Sequence, residues 1–99
     1  MKNVTLVIPA KFESESLPKV LYELKKFHVK KIIVLPKDDV LTIKSIKKYN
    51  SKIIFQKKSG YGSALKEGIL SVKTKYFCIF NADGAFNPKY LKKMLIIMN

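Results

Sequence analysis

A single carboxylate follows directly after an apolar run in the last quarter of the sequence. The run covers residues 76–80, and Asn81, Ala82 and Asp83 come next. Such a run is typical of a buried strand, and open α/β sheets bind their ligands beyond the carboxyl ends of the strands. Carboxylate and amide oxygens are the hard ligands that Mg²⁺ and Mn²⁺ prefer. The alternative is that Asp83 and Gly84 form an ordinary turn before a helix.

A second polar segment leads from the first apolar run into a helical stripe. It begins with Pro9, Ala10 and Lys11 and reaches Glu13. A loop that turns into a helix presents free backbone N–H groups and the positive end of the helix dipole, which together favour an anion. Acidic side chains at this position also have a plain explanation, because they complement the same dipole.

A third segment contains two closely spaced glycines between a strand-like run and a helical one. Gly60 and Gly62 can adopt positive φ and let the backbone approach a ligand, and Lys57 and Lys58 add positive charge before them. Most loops of this Gly-x-Gly type are plain turns, so the spacing alone leaves the segment between a turn and an anion-binding loop.

The elements that must position these segments alternate regularly. Strand-like runs cover residues 4–8, 31–35, 53–55 and 76–80, and helical stripes cover 17–27, 40–49, 64–72 and 88–98. Ser14 or Ser16 is expected to cap the first helix, and Gly68 to weaken the third slightly. Four repeats of strand and helix predict an α/β fold: a Rossmann-like three-layer sandwich in one domain, residues 1–99, whose mostly parallel sheet of about four strands has helices on both faces.

Composition narrows the classes of partner. The net charge is +13, and lysine supplies all of the basic residues. The guanidinium group of arginine donates the paired hydrogen bonds that recognise guanine and phosphate, so its absence makes nucleic acid an unlikely partner. A solvated basic surface is favoured instead, with weak attraction to anionic lipid as an alternative.

Cys78 lies in an apolar strand and is predicted to be a reduced core residue, and His28 is predicted to lie at an exposed helix end without a catalytic role. No apolar run nears the ~20 residues of a membrane span, and the first residues lack a signal-peptide pattern. With a reduced Cys78, this predicts a cytoplasmic protein, with peripheral association at the inner membrane surface as an addition.

Together, the three polar segments resemble family 2 glycosyltransferases, which transfer a sugar from a nucleotide diphosphate. The likeness covers the whole chain but only the amino-terminal half of that family's domain, a truncated GT-A-type fold. Asn81 stands where the family has the first aspartate of its Asp-x-Asp segment, and Asp38 and Asp39 are displaced from its base-reading acids, so they are expected to cap the second helix instead. The resemblance implies a nucleotide-sugar site at Pro9, Ala10, Lys11, Glu13, Gly60, Gly62, Asn81, Ala82 and Asp83, with Asp83 and Asn81 holding Mg²⁺ or Mn²⁺.

The same resemblance implies a reaction and its partners. The chain looks closest to polyprenyl-phosphate sugar transferases related to dolichyl-phosphate mannosyltransferase. This implies inverting transfer from a nucleotide-diphosphate sugar to a polyprenyl phosphate or glycan acceptor. The catalytic base is unknown, and the isolated chain is expected to transfer little sugar. The alternatives are an inactive nucleotide-sugar or diphosphate binding module, and a basic interaction protein for anionic lipid or nucleic acid.

The last helical stripe also predicts self-association. Ile96 and Ile97 lie off the apolar stripe of residues 88–98. Apolar side chains outside the packed face and unpaired strand edges both promote contacts between chains. We therefore expect a homo-oligomer, formed through the last helix or an edge strand.

Overall fold

A computed structural model describes residues 3–25, 28–49 and 51–81 of the protein and the backbone of 97–98. Among these residues, five strands form one sheet in the order β3-β2-β1-β4-β5. The pairings from β3 to β4 are parallel, and β5 is antiparallel to β4. The elements are β1 (Val4–Pro9), α1 (Ser16–Leu24), β2 (Lys30–Leu35), α2 (Val40–Ser45), β3 (Lys52–Phe55), α3 (Tyr61–Leu70), β4 (Tyr76–Ile79) and β5 (Ile97–Met98). The predicted α/β fold with a mostly parallel sheet is confirmed.

Two apolar cores lie on opposite faces of this sheet. Because successive side chains of a strand alternate between faces, Leu6 and Ile8 of β1 belong to one core and Val7 between them belongs to the other. The first core also contains Leu21 of α1 and Ile46 after α2, and the second contains Ala64 of α3. Helices therefore cover both faces, as predicted, and the carboxyl ends of the parallel strands all meet at one edge.

The first helix differs from its prediction at both ends. Leu17, Val20, Leu21 and Leu24 form the buried stripe, but α1 ends at Leu24. Its N-cap residue is Glu15, which makes no side-chain capping bond. The prediction that Ser14 or Ser16 caps the helix is wrong, because Ser16 already belongs to the first turn. The Ser16 hydroxyl instead donates a hydrogen bond to the carboxylate of Glu13.

The glycines around α3 follow the prediction only in part, since Gly60 has the expected positive φ and Gly62 does not. Gly60, at the N-cap, has φ of 103°, whereas Gly62 lies within the helix and does not need positive φ. The prediction of a two-glycine loop is therefore wrong for Gly62. A Cβ on Gly68 would lie 2.6 Å from a Val7 methyl carbon and 2.8 Å from one of Val34. Gly68 is thus the point at which α3 touches the sheet, rather than only a weak position in the helix.

The chain's last described residues form a strand, not a helix. Residues 88–96 of the predicted last helix lie outside the described residues, but Ile97 and Met98 pair with Phe77 and Tyr76 of β4. The helical prediction is wrong for these two residues. The open edge of β4 offers backbone N–H and C=O groups, and pairing with them satisfies both strands.

Two further observations concern the core and the membrane. Cys78 is a free, buried cysteine, as predicted, and burial raises the pKa of its thiol. Within the described ranges, no helix is both long and apolar enough to cross a membrane.

Candidate functional site

A pocket of about 250 Å³ lies at the edge of the sheet where the parallel strands end. It is lined by the end of β1 and the loop after it, by the segment before α3 and the first turns of that helix, and by the residue that follows Phe80. The lining residues are Pro9, Ala10, Lys11, Glu13, Gln56, Gly60, Tyr61, Ala64 and Asn81.

The pocket brings together side chains from all three predicted segments. Pro9, Ala10, Lys11, Glu13, Gly60 and Asn81 all line it. Gly62 is not among its lining residues, and Ala82 and Asp83 lie outside the described residues. The chain thus gathers at one place residues that are separated by up to 72 positions in the sequence, from Pro9 to Asn81.

The loop between β1 and α1 is held by hydrogen bonds from its backbone to the start of α2. Phe12 has φ of 57°, and its N–H donates to Asp39 Oδ2 at 2.7 Å. The next N–H, that of Glu13, donates to the Thr42 hydroxyl at 3.1 Å. Asp39 and Thr42 are both buried. These two contacts fix the backbone of the loop beneath the pocket.

Asp39 was predicted to cap α2, but its carboxylate instead holds the loop after β1. It occupies the N-cap position of α2 but makes no side-chain capping bond there. The expectation that it caps the helix is wrong, because its carboxylate is directed at the neighbouring loop. Asp38 beside it is exposed. The sequence gives little signal for such a bond, since Phe12 and Asp39 are far apart along the chain and belong to different loops.

The segment before α3 is ordered by a carboxylate on that helix. Glu67 accepts hydrogen bonds from the backbone N–H groups of Lys57, at 2.8 Å, and Lys58, at 3.2 Å. These two backbone donors hold the pKa of Glu67 below its ordinary value. The amide of Gln56 donates to the Lys58 carbonyl at 2.9 Å. The bonds shape the approach to Gly60 and the beginning of α3.

A hydrogen bond joins the beginning of α3 to the end of β4. The Tyr61 hydroxyl donates to Asn81 Oδ1 at 2.8 Å, and both side chains are exposed. Tyr61 stands between the two glycines that drew attention in the sequence, yet sequence reasoning did not select it. Gln56 and Ala64 were also missed as lining residues. The only feature of the sequence that could have indicated Tyr61 is its position, as an aromatic residue at the start of a helix and next to Gly60.

The oxygen atoms of the pocket suit a hard cation in type but do not form a complete set. Glu13 contributes a carboxylate and Asn81 an amide oxygen. In the part of the chain that the structure describes, no group of three or more His, Cys, Asp or Glu side chains could hold a metal ion. Asp83, the predicted principal ligand, lies beyond that part. His28 is exposed and does not line this pocket.

Comparison with known proteins decides the family. A sequence model of glycosyl transferase family 2 matches residues 5–99. The chain belongs to this family. It is 30% identical over 95 residues to uncharacterized glycosyltransferases of Mycobacterium bovis and Mycobacterium tuberculosis, and these matches cover 93% of this chain. They cover 42% of each relative, so this family 2 chain spans less than half of the relatives' length.

Proposed function

We propose that the pocket at the carboxyl edge of the sheet binds a nucleotide-diphosphate sugar. The observation that carries the proposal is the convergence of the loop after β1, the beginning of α3 and the residue after β4 on one cavity. In the whole protein, we propose that the sugar is transferred with inversion to a polyprenyl phosphate or glycan acceptor at the cytoplasmic face of a membrane. The acceptor and this location rest on the family resemblance alone.

The described residues support a division of roles within the pocket. The first turn of α3 offers backbone N–H groups, and the absence of a Cβ at Gly60 leaves its backbone open to a diphosphate. Lys11 adds an exposed ammonium to the same lining. The Glu13 carboxylate can accept hydrogen bonds from ribose hydroxyls or a base. Because Ser16 already donates to it, its orientation is set before the ligand arrives.

A divalent cation fits the chemistry of the proposed site. We propose that Asp83 and Asn81 hold Mg²⁺ or Mn²⁺, which would neutralise charge on the diphosphate. The Asn81 carbonyl oxygen has two lone pairs, so it can accept the Tyr61 hydroxyl and still face a cation.

Calorimetry with uridine and guanosine diphosphates, each with Mn²⁺, Mg²⁺ or a chelator, tests this proposal. We expect weak, metal-dependent binding of at least one nucleotide. Glu13→Gln should weaken it about tenfold, which corresponds to about 1.4 kcal/mol. Glu15→Gln is the matched control, because Glu15 is exposed on the same loop and does not line the pocket. Asp83→Ala should reduce the metal dependence.

Two results would contradict the proposal. Binding that is the same in Glu13→Gln, Glu15→Gln and the unaltered protein would remove the pocket as the nucleotide site. Binding that is unchanged in Asp83→Ala and in chelator would remove the metal.

A further inference from the structure

A second and larger pocket lies at the opposite edge of the sheet. Its volume is about 830 Å³, within the range of roughly 300–1,000 Å³ that is usual for small-molecule sites. It is formed where the strands begin and the helices end. Thr5 comes from β1, Lys30 from β2 and Lys52 from β3, while Lys25 follows α1 and Ser71 follows α3. We call it the amino-edge pocket.

The charge of the amino-edge pocket is all of one sign. Its lining contains six lysines and one histidine, and no acidic side chain is among the described residues that form it. Lys31 is half-buried, and its ammonium donates to the Val29 carbonyl at 3.0 Å. Burial lowers the pKa of this lysine. The basic side chains are Lys25, His28, Lys30, Lys31, Lys48, Lys52 and Lys73.

The dipoles of the helices explain why some lysines lie here, but they do not explain how much positive charge the pocket carries. Cations are favourable near helix carboxyl ends, and each end carries about −0.5 elementary charge. Three helices end near the pocket, which gives roughly −1.5 by the same rule. The six lysines exceed this charge several times, so most of their positive charge is left without a fixed counter-charge in the lining.

One hydroxyl group inside the same pocket adds a hydrogen-bond donor. The Ser51 Oγ is buried from solvent and has no hydrogen-bond partner among the described residues. The Thr74 hydroxyl donates to the Tyr76 carbonyl at 2.8 Å and accepts from the Thr5 hydroxyl at 2.6 Å, so the protons of both are already used within the protein. An unpartnered buried hydroxyl costs free energy unless a ligand or water completes it. A lining of ammonium groups together with the Ser51 hydroxyl is suited to an oxyanion.

We propose that the amino-edge pocket binds a compact anion carrying two or more phosphate groups, either free or as the headgroup of an anionic phospholipid. The site is separate from the proposed nucleotide pocket, because the two occupy opposite ends of the same strands. A six-residue strand such as β1 is about 20 Å long at ~3.3 Å per residue. One nucleotide diphosphate therefore cannot fill both pockets.

Calorimetry with tripolyphosphate at low and moderate salt tests the proposal. The variant Lys48→Glu/Lys52→Glu changes two exposed lysines of the lining. The matched control, Lys19→Glu/Lys66→Glu, changes two exposed lysines that line neither pocket. Both variants lower the net charge of +13 by the same amount. We expect binding that weakens about tenfold or more in the first variant, or about 1.4 kcal/mol, and that is little changed in the second.

Flotation with vesicles separates the two sources of phosphate. Flotation with vesicles containing cardiolipin, whose headgroup carries two phosphates, but not with phosphatidylcholine alone would assign a lipid headgroup, provided that it is lost in the pocket variant and competed by tripolyphosphate. Retained tripolyphosphate binding without flotation would assign a free anion. The proposal is overturned if tripolyphosphate does not bind at low salt, or if both variants weaken it equally. It is also overturned if a short RNA binds the pocket more tightly than tripolyphosphate.

Discussion

At the scale of single residues, Asp39 has the most specific role that the structure reveals. Its carboxylate accepts the Phe12 N–H at 2.7 Å while the side chain is buried. Hydrogen bonds to a charged group contribute about 1.5–3 kcal/mol when they are buried. Asp39→Ala should therefore lower the free energy of unfolding in urea by about this amount, whereas Asp38→Ala, at an exposed neighbour, should change it by less than about 0.5 kcal/mol.

Asp39→Ala should also weaken nucleotide binding, because the loop that carries Glu13 loses one of its two anchors. The Thr42 hydroxyl would remain as the other anchor. Equal stability of the Asp39 and Asp38 variants would show that the bond contributes nothing to the fold.

Glu67 should make the order of the segment before α3 depend on pH. Its folded pKa lies below its ordinary value because the Lys57 and Lys58 N–H groups donate to the ionised form. The stabilisation is therefore complete above the unfolded pKa of about 4.3 and is lost as the pH falls through the lower folded value. We expect the backbone amide signals of Lys57 and Lys58 in NMR spectra to be constant from pH 7 to 5 and to shift only in stronger acid.

Glu67→Gln is the companion measurement. It should give acid-like amide shifts for Lys57 and Lys58 already at pH 7, while Glu23→Gln, at an exposed position on α1, should leave them unchanged. Amide signals of Lys57 and Lys58 that titrate above pH 5 would be inconsistent with the two bonds.

At the scale of elements, α3 contains one glycine that is packed against the sheet and one that is not, so the same substitution can be compared at both. Gly68→Ala should destabilise the protein by about 1–3 kcal/mol, the usual cost of overpacking, because its Cβ would meet Val7 and Val34 at 2.6 and 2.8 Å. Gly62→Ala meets nothing within 4 Å and should stabilise α3 by about 0.5–1 kcal/mol. Urea unfolding of both variants measures the difference. The same sign for both substitutions would contradict the close packing of α3 on the sheet.

The sequence predicts a strand or helix correctly wherever the regular spacing of its apolar residues is enough to identify it. The alternation of apolar runs and helical stripes predicts β1 to β4 and the three described helices, with boundaries that differ by a few residues. The role of Gly68 could not be predicted, because it depends on where two valines of different strands come to lie. The strand at Ile97 and Met98 could not be predicted either, because an apolar run of that length fits both a helix and a strand.

The candidate site could also be predicted only in part, because some of its contacts join residues that are far apart in the sequence. Segments at strand ends and helix beginnings could be selected from the sequence, and six of their residues line one pocket. Bonds between different loops, such as those of Phe12 with Asp39 and of Tyr61 with Asn81, depend on the folded arrangement and leave no pattern along the chain. The basic character of the amino-edge pocket is likewise invisible in a sequence whose lysines are evenly spread.

At the scale of the whole molecule, self-association remains a prediction. Among the described strands, β3 has β2 as its one neighbour, and Phe55 at its end is 47% exposed. We expect a homo-oligomer at micromolar concentration in sedimentation measurements, formed along this edge. The positive net charge opposes association, but charges are screened beyond about 8 Å at physiological salt.

Phe55→Lys should shift this equilibrium towards monomer. The matched control is Tyr22→Lys, at an aromatic residue on α1 that is 61% exposed. A protein that sediments as a monomer at these concentrations, or an oligomer that responds equally to both substitutions, would exclude the β3 edge as the contact.

The central position of β1 has a consequence for synthesis. Thr5 meets its partner Lys30 after 25 positions, whereas Val4 must wait 72 positions for Tyr76. At translation speeds of ~5–20 residues per second, the 44 residues between Leu35 and Ile79 take roughly 2–9 s. During that interval the nascent chain can pair β1 with β2 and cover one face with α1, while Val7, Ile32 and Val34 wait for α3. Lysines at the beginnings of β2 and β3 would then act as gatekeepers against aggregation of the emerging protein.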